Sequence, residues 1–282
     1  MQQPPRKAGI DLANWNWKVV REFIKRRFDQ ELCRSSCLNY LHRLGFVLRR
    51  PKKRLTKADA AKREEFVRLY AEVRQEAERT GASIWFVDEA FFRADADLRG
   101  LWVLKGRPAL VDSSSPSLKE KVVYYSAVCL ETGEVEKMEV EGTCTAATSV
   151  AFLRQLRANH PEALIVIWDN GPAHRGDALR TYLATPDLRV RLVPLPGYSP
   201  DYNADEAIWA WVREDVTANT CLGTKAKVRE KVSAFLQGLS AHRDEVKQRC
   251  RTILQAQADA LRQGTAGSLS PPNHVVPTLA LV

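Results

Sequence analysis

The chain has 282 residues, 45% of them hydrophobic, with 43 Lys/Arg against 34 Asp/Glu. That length and apolar fraction suit one sizeable globular body with a small companion. No apolar run reaches the length of a bilayer-spanning helix, and the opening MQQPPRKAGIDLANW has no apolar signal core, so a cytoplasmic protein with no membrane partner is expected.

The net charge of +9 is unevenly placed. Residues 1–57 hold 15 basic and 4 acidic residues, a net of +11, and the rest of the chain carries −2. A compact basic module on a near-neutral body points to a polyanion, most commonly a nucleic acid. Apolar residues interleave these charges, which argues against a merely solvated tail. The six cysteines, Cys33, Cys37, Cys129, Cys144, Cys221 and Cys250, form no CxxC pair. Cys33 and Cys37 have no downstream partners at zinc spacing, so reduced and mostly buried thiols are expected.

In chain order, WNWKVVREFIKRRF (15–28) places Trp17, Val20, Ile24 and Phe28 at helical spacing, with Lys18, Arg21 and Lys25 on another face. After a break at 29–31, RSSCLNYLHRL (34–44) reads as a second helix. Ser35 or Ser36 is the expected cap, Gly45 the stop, and Leu38, Leu41 and Leu44 the inward face. Two short helices with a tight break form a helix-turn-helix unit. FVLRRPKKR then runs out as a basic arm stiffened by Pro51. The DNA-contact candidates on the second helix are Arg34, Ser35, Ser36, Asn39, Tyr40 and Arg43. Those on the arm are Arg49, Arg50, Lys52, Lys53 and Arg54, suited to phosphates or a minor groove.

The domain reading is a helix-turn-helix domain with its arm (1–57), a charge-rich linker helix (58–80), a catalytic body (81–262) and a loose tail (263–282). In the body, IWFVD (84–88), KVVYYSAVCL (121–130), VEKMEVEG (135–142), ALIVIWD (163–169) and VRLVPLP (190–196) read as strands. LWVLKGRPALV (101–111) has a turn at Lys105–Gly106. Helices are expected over 145–160, 177–185, 203–219 and within 224–261. This order fits an α/β body, a mixed five-stranded sheet flanked by helices, behind a small all-α domain.

Asp88 and Asp169 each end an apolar strand, the mouth of a sheet where sites gather. Something must offset their repulsion, and a divalent cation does so. A third acid lies in GYSPDYNADEAIWAWV (197–212), where Glu206 enters a helix whose Ile208, Trp209, Trp211 and Val212 pack inward. Asp205 competes with it, but adjacent helical residues point about 100° apart, so only one faces the site. Hard oxygen ligands suit Mg²⁺ or Mn²⁺. Two such ions roughly 4 Å apart activate a water or 3′-hydroxyl for in-line attack on phosphorus. Glu89 reads as a solvated or supporting residue, and His174 as a structural hydrogen-bond former or an orienter of a ligand. Asn170 and Asn203 are candidates to tie the nearby loops together.

FVDEAFF, WVLKGRPALV, IVIWDNGPAH and LVPLPGYSPDYNADEAIWAWV together resemble, in order, the catalytic domain of mariner-superfamily transposases, and most closely the bacterial IS-six-thirty branch. The resemblance spans roughly residues 15–255. Carried over residue by residue, the family's acids fall on Asp88, Asp169 and Glu206. The resemblance implies an RNase H-like DDE fold, two Mg²⁺ or Mn²⁺ ions and metal-dependent DNA strand cleavage and transfer. It further implies binding to the terminal inverted repeats of an insertion sequence and to target DNA, action as a homodimer and a nucleoid-associated location. The family's usual Pro-Ile before the Glu is Ala204–Asp205 here, which leaves Asp205 beside Glu206 as an alternative. Two other readings stay open: a catalytically silent, transposon-derived DNA-binding protein, and another RNase H-like nuclease. The helix-turn-helix, a reader of duplex major grooves, argues against the second.

If the arm binds phosphates, Arg50→Ala weakens binding to any duplex and reduces the steepness of the log K against log salt plot by about 0.9. Fluorescence anisotropy across a salt series checks this. A loss confined to one sequence would instead make Arg50 a base reader.

Overall fold

A computed structural model describes residues 5–12, 14–48, 59–113 and 121–264. The chain divides into two compact units, residues 1–54 and 55–282.

In the first unit, α1 (Trp17–Phe28) begins where the Asn16 side chain accepts from the Lys18 and Val19 amides at 2.9 and 3.2 Å. It stops at Asp29, in the left-handed conformation at φ 52°. The second helix, α2 (Arg34–Arg43), follows, and Gly45, at φ 78°, marks its end as the sequence indicates. Neither Ser35 nor Ser36 caps it. Both lie inside its first turn, Cys33 holds the cap position without a side-chain bond, and Ser36 Oγ instead meets Cys33 Sγ at 3.3 Å. The expected inward face is also corrected. Cys37 is buried, Leu38 and Leu41 are half-buried, and Leu44 is 69% exposed because it lies past the last helical turn. With Trp15, Val20, Phe23, Ile24 and Phe28, Leu41 and Leu44 line an open apolar hollow.

The second unit is built on a five-stranded sheet of order β3-β2-β1-β4-β5. Strands β1 (Ser83–Arg93), β2 (Lys121–Cys129) and β3 (Glu134–Val140) are antiparallel neighbours. On the other side of β1 run β4 (Leu164–Trp168) and β5 (Val190–Pro194), both parallel to it. The 101–111 segment forms no strand, although its turn at Lys105–Gly106 is present. Strand β1 runs well past the expected end at residue 88, because β2 pairs with it from Trp85 to Arg93 while β4 leaves it after Phe86. Asp88 therefore lies inside the strand, just beyond the last β4 pair, rather than at its end.

Alternation along β1 divides the core. Ile84, Phe86, Ala90 and Phe92 face a layer made by α3 (Ala60–Thr80), α6 (Glu206–Val212), α7 (Lys225–Gly238), α8 (Arg243–Arg249) and α9 (Ile253–Arg262). Trp85 and Val87 face α4 (Ala146–Asn159) and α5 (Asp177–Leu183). The helix expected as a linker, α3, buries Phe66, Val67, Tyr70 and Val73 in the first of these layers. Among the described residues no helix is long and apolar enough to cross a membrane.

Phe152 of α4 is fully buried and stacks on Tyr125 with ring centroids 5.3 Å apart. Phe152→Ala is expected to destabilise the second unit by about 3–5 kcal/mol. Urea unfolding followed by tryptophan fluorescence measures this; a cost under about 1 kcal/mol would mean that this layer repacks freely.

Candidate active site

The same alternation sends the neighbours Asp88 and Glu89 to opposite faces of the sheet. Asp88 faces the α6 layer, where its register partner on β2, Ser126, donates a hydrogen bond to Asp205 Oδ2. Glu89 faces α4, and its register partner is Tyr125. Asp169 follows β4 directly. Its Oδ1 accepts from the Gly171 amide at 2.8 Å and lies 3.3 Å from His174 Nε2. Glu206 is the first residue of α6.

The turn that delivers Glu206 is held from three directions. Arg63 of α3 makes a two-pronged bond to Asp201, at 2.9 and 2.6 Å, and lies over the Tyr202 ring at 4.0 Å. Tyr202 donates to Gln257 of α9 at 2.8 Å. Asn203 donates to the Val87 carbonyl at 3.0 Å and accepts from the Asp205 amide at 3.2 Å. Asn170, likewise, donates to the Leu195 carbonyl at 2.6 Å, tying the loop after β4 to the one after β5. Asn170 thus joins two loops beside the acids, whereas Asn203 ties its turn to strand β1.

Asp88, Asp169 and Glu206 line one cavity of about 580 Å³, with Arg175, Tyr198 and Pro200 among its other walls. Asp205 is not on that wall. It is fully buried behind it, and its Oδ1 has no hydrogen-bond partner among the described residues. Burial pushes the Asp88 carboxyl well above the usual carboxylate range, and the charges of Asp205, Glu206 and Glu89 add to this. Burial does the same to Asp205, against the Ser126 hydrogen bond that opposes it. Glu206, on the exposed rim, is raised by desolvation and by Asp169, with Arg213 opposing. Asp169 moves the other way, lowered chiefly by its hydrogen bond with His174. Burial works to lower the His174 pKa, but the hydrogen bonds with Asp169 and Glu89 outweigh it and bring it to about 8.

The joining of Glu89 to His174 was not legible from the sequence, which offers Glu89 as a supporting residue and His174 as an orienter of a ligand without pairing them. Their contact depends on the alternation of β1 and on the turn after β4, and the D-E and D-N-x-x-x-H spacings are the only signal of it. Arg175 and Tyr198 on the cavity wall gave no sequence signal. On α2, Arg34, Ser35, Asn39, Tyr40 and Arg43 are exposed and Ser36 is half-buried. Arg34 lies over the Trp17 ring at 5.9 Å. Arg49, Arg50, Lys52, Lys53 and Arg54 lie outside the described residues.

A mixed five-stranded sheet in the order 3-2-1-4-5, layered by helices, with acids gathered where β1 and β4 part, defines an RNase H-like body. The DDE superfamily endonuclease profile matches residues 83–229, just over half of the chain. A winged helix-turn helix profile matches residues 13–70. The chain belongs to the DDE superfamily endonucleases. It is 23% identical over 244 residues to the insertion element IS630 uncharacterized 39 kDa protein of Shigella sonnei, across 85% of this chain and 69% of that one. Its fold is similar to that of a Mos1 transposase paired-end complex with left transposon end, with a TM-score of 0.60 and 14% identity over 92% of this chain and 80% of that one. It is similar also to a mariner Mos1 paired end complex with Mg, with a TM-score of 0.61 and 14% identity over 94% and 86% of the two chains.

The raised Asp205 pKa has a sign that can be tested. A carboxyl with a folded-state pKa above its unfolded value contributes stability at acid pH, which is lost as pH rises through the folded value. Asp205→Asn removes that loss, so the Tm of the variant relative to wild type is expected to rise with pH. Differential scanning calorimetry in metal-free buffers at acid and alkaline pH checks it; a pH-independent Tm difference would refute the shift.

Proposed function

We propose that this protein is a DNA transposase that cuts, and joins to target DNA, the terminal inverted repeats of an insertion sequence, with Asp88, Asp169 and Glu206 as its metal-binding triad. The observation that carries the reading is that three carboxylates from β1, the loop after β4 and the start of α6 open into one cavity. Burial, with the charges of neighbouring acids added to it, holds Asp88 and Glu206 above their ordinary range, and a hard divalent cation relieves that electrostatic situation. The donors are all oxygen, and they fit Mg²⁺ or Mn²⁺. The relatives support the same reading: an insertion-element protein, and transposases solved with a transposon end or with Mg.

Two bound ions would supply Lewis-acid stabilisation of the attacking and leaving oxygens of an in-line phosphoryl transfer. The chain's own contribution is placement. Asn203 and Arg63 fix the turn that carries Glu206, Asn170 fixes the loop beside Asp169, and Arg175 on the wall offers a cation to a DNA phosphate. Asp205, turned away from the cavity, supports the sheet rather than the metal, so Glu206 is the third ligand. The basic N-terminal unit holds duplex DNA through α2 and the arm at 49–54. The protein acts on DNA in the cytoplasm, at the nucleoid, as a homodimer that brings two element ends together. For the domains we take residues 1–57 as the DNA-binding part and 81–262 as the catalytic part, with the helix over 58–80 leading into the catalytic body and packing in its core.

Cleavage of a labelled duplex bearing the element's terminal repeat, with Mg²⁺ or Mn²⁺, tests this. Wild type is expected to nick at the repeat end only with metal. Asp88→Ala, Asp169→Ala and Glu206→Ala should each lose at least about 100-fold in rate, the order seen when a major transition-state stabiliser is removed, while still binding the duplex. Glu206→Ala cleaving normally while Asp205→Ala fails would move the third ligand to Asp205. Binding without cleavage by wild type would make the protein a silent DNA-binding derivative.

A further inference from the structure

The side of β1 opposite the acid cavity carries a second, buried polar chain. The His174 side chain is 5% exposed, and its ring lies against Trp168 with centroids 3.9 Å apart. Its Nε2 is 2.8 Å from Glu89 Oε1 and 3.3 Å from Asp169 Oδ1. Its Nδ1 is 3.4 Å from Ser149 Oγ. Ser149 donates its own hydroxyl proton to the Ala173 carbonyl at 3.0 Å, so toward the ring it is an acceptor and Nδ1 carries a hydrogen. On the other side, two carboxylate oxygens face Nε2. Carboxylates only accept, so Nε2–H is the donor and is closed to a metal. Glu89, Asp169 and His174 fall within a metal-sized cluster of 4.8 Å, but hydrogen bonds through the ring account for the closeness.

The backbone on this side is fitted to the same oxygen. The Gly171 amide donates to Asp169 Oδ1 at 2.8 Å. A Cβ built on Gly171 would come within 3.0 Å of Oδ1 and 3.1 Å of His174 Cδ2. A methyl group there must push the carboxylate or the ring aside. One oxygen of Asp169 thus takes two donors from the protein. The other has no hydrogen bond among the described residues, and the side chain stays 54% exposed to the cavity.

We propose that Glu89 and His174 are a positioning pair: Glu89 fixes the imidazole, and the imidazole with the Gly171 amide fixes the rotamer of Asp169 so that a single oxygen is presented to the metal. This rests on the reading of Asp169 as a metal-binding acid. Neither residue of the pair is a ligand. Glu89 reaches Asp169 through the ring, from the face of the sheet opposite to Asp88. Unpositioned, Asp169 would be free to rotate and to engage the ion in either of two ways, weakening the site without abolishing it.

The test is Mn²⁺ binding to the full-length protein, followed by the electron paramagnetic resonance signal of free Mn²⁺, with strand cleavage as the second readout. Wild type is compared with Glu89→Gln, Glu89→Ala, His174→Ala, Gly171→Ala and Asp169→Asn, each checked for an unchanged melting profile. Asp169→Asn is expected to lose bound ions at saturation. Glu89→Ala, His174→Ala and Gly171→Ala should bind the wild-type number of ions with affinity lower by about 10–100-fold, the range for an outer residue that orients a ligand. Cleavage should fall by a similar factor in kcat, with duplex affinity unchanged. Glu89→Gln keeps an oxygen that accepts from Nε2–H and should stay within about threefold of wild type, since the orienting bond of this kind is retained. If His174→Ala does not fold, Glu89→Ala and Gly171→Ala still decide. Loss of an ion in Glu89→Gln would make Glu89 a ligand and overturn the proposal. So would wild-type affinity in Glu89→Ala and Gly171→Ala. A folded wild type that binds no Mn²⁺ would instead remove the metal reading of Asp169, and the positioning pair with it.

Discussion

Strand β1 has two neighbours of different reach, and the rest of the site depends on that inequality. Its antiparallel partner β2 stays with it to Arg93, whereas its parallel partner β4 stops pairing at Phe86. The strand beyond Phe86 therefore lacks a neighbour on one side, and exposed backbone polar groups there need other partners. Asn203 supplies one of them by donating to the Val87 carbonyl. That contact brings the start of α6, and with it Glu206, to the place where β4 turns away and releases Asp169. The acids gather at a position where the sheet has run out of hydrogen-bonding strand.

The two sides of this opening are electrostatically different. On the α6 side, acids accumulate with few cations to answer them, and burial raises the Asp88 and Asp205 carboxyls. On the α4 side, a buried imidazole lies between two carboxylates, and Asp169 is lowered. Asp169 belongs to both sides: one oxygen is held by the imidazole and a backbone amide, while the side chain opens into the cavity. An acid held ionised by its neighbours thus stands beside acids that burial keeps from ionising.

Much of this was legible in the chain. Unbroken apolar runs such as ALIVIWD mark buried strands because a parallel strand is covered on both faces. The five strands could be read from such runs or from a hairpin pattern, and the helices from their spacing, and the similar folds agree with that fold class. The basic N-terminus was legible from charge alone. The end of β1 was not, since FFR after Asp88 alternates weakly and only β2 keeps it extended. The inward face of α2 was misread because helical spacing continues to Leu44, whereas the helix ends one residue earlier and leaves that side chain on the surface. The capping serines were misread for a related reason, as a serine inside the first turn can no longer reach the free amides of that turn.

The sequence by itself determined the apolar alternation and the basic module and offered the candidate acids, with Asp205 and Glu206 as alternatives, because periodicity and charge are properties of the local chain. It also carried a motif string long enough to imply the family. Only the tertiary structure decided which of two adjacent acids turns to the cavity. Asp205 and Glu206 are both carboxylic acids, but Glu206 lines the cavity while Asp205 is turned to Ser126, some eighty residues away on β2. Tertiary structure likewise gave Glu89 its partner, because a strand residue meets whatever the opposite layer places over it. Contacts between groups far apart in sequence depend on register and packing, and these are set only when the whole sheet assembles.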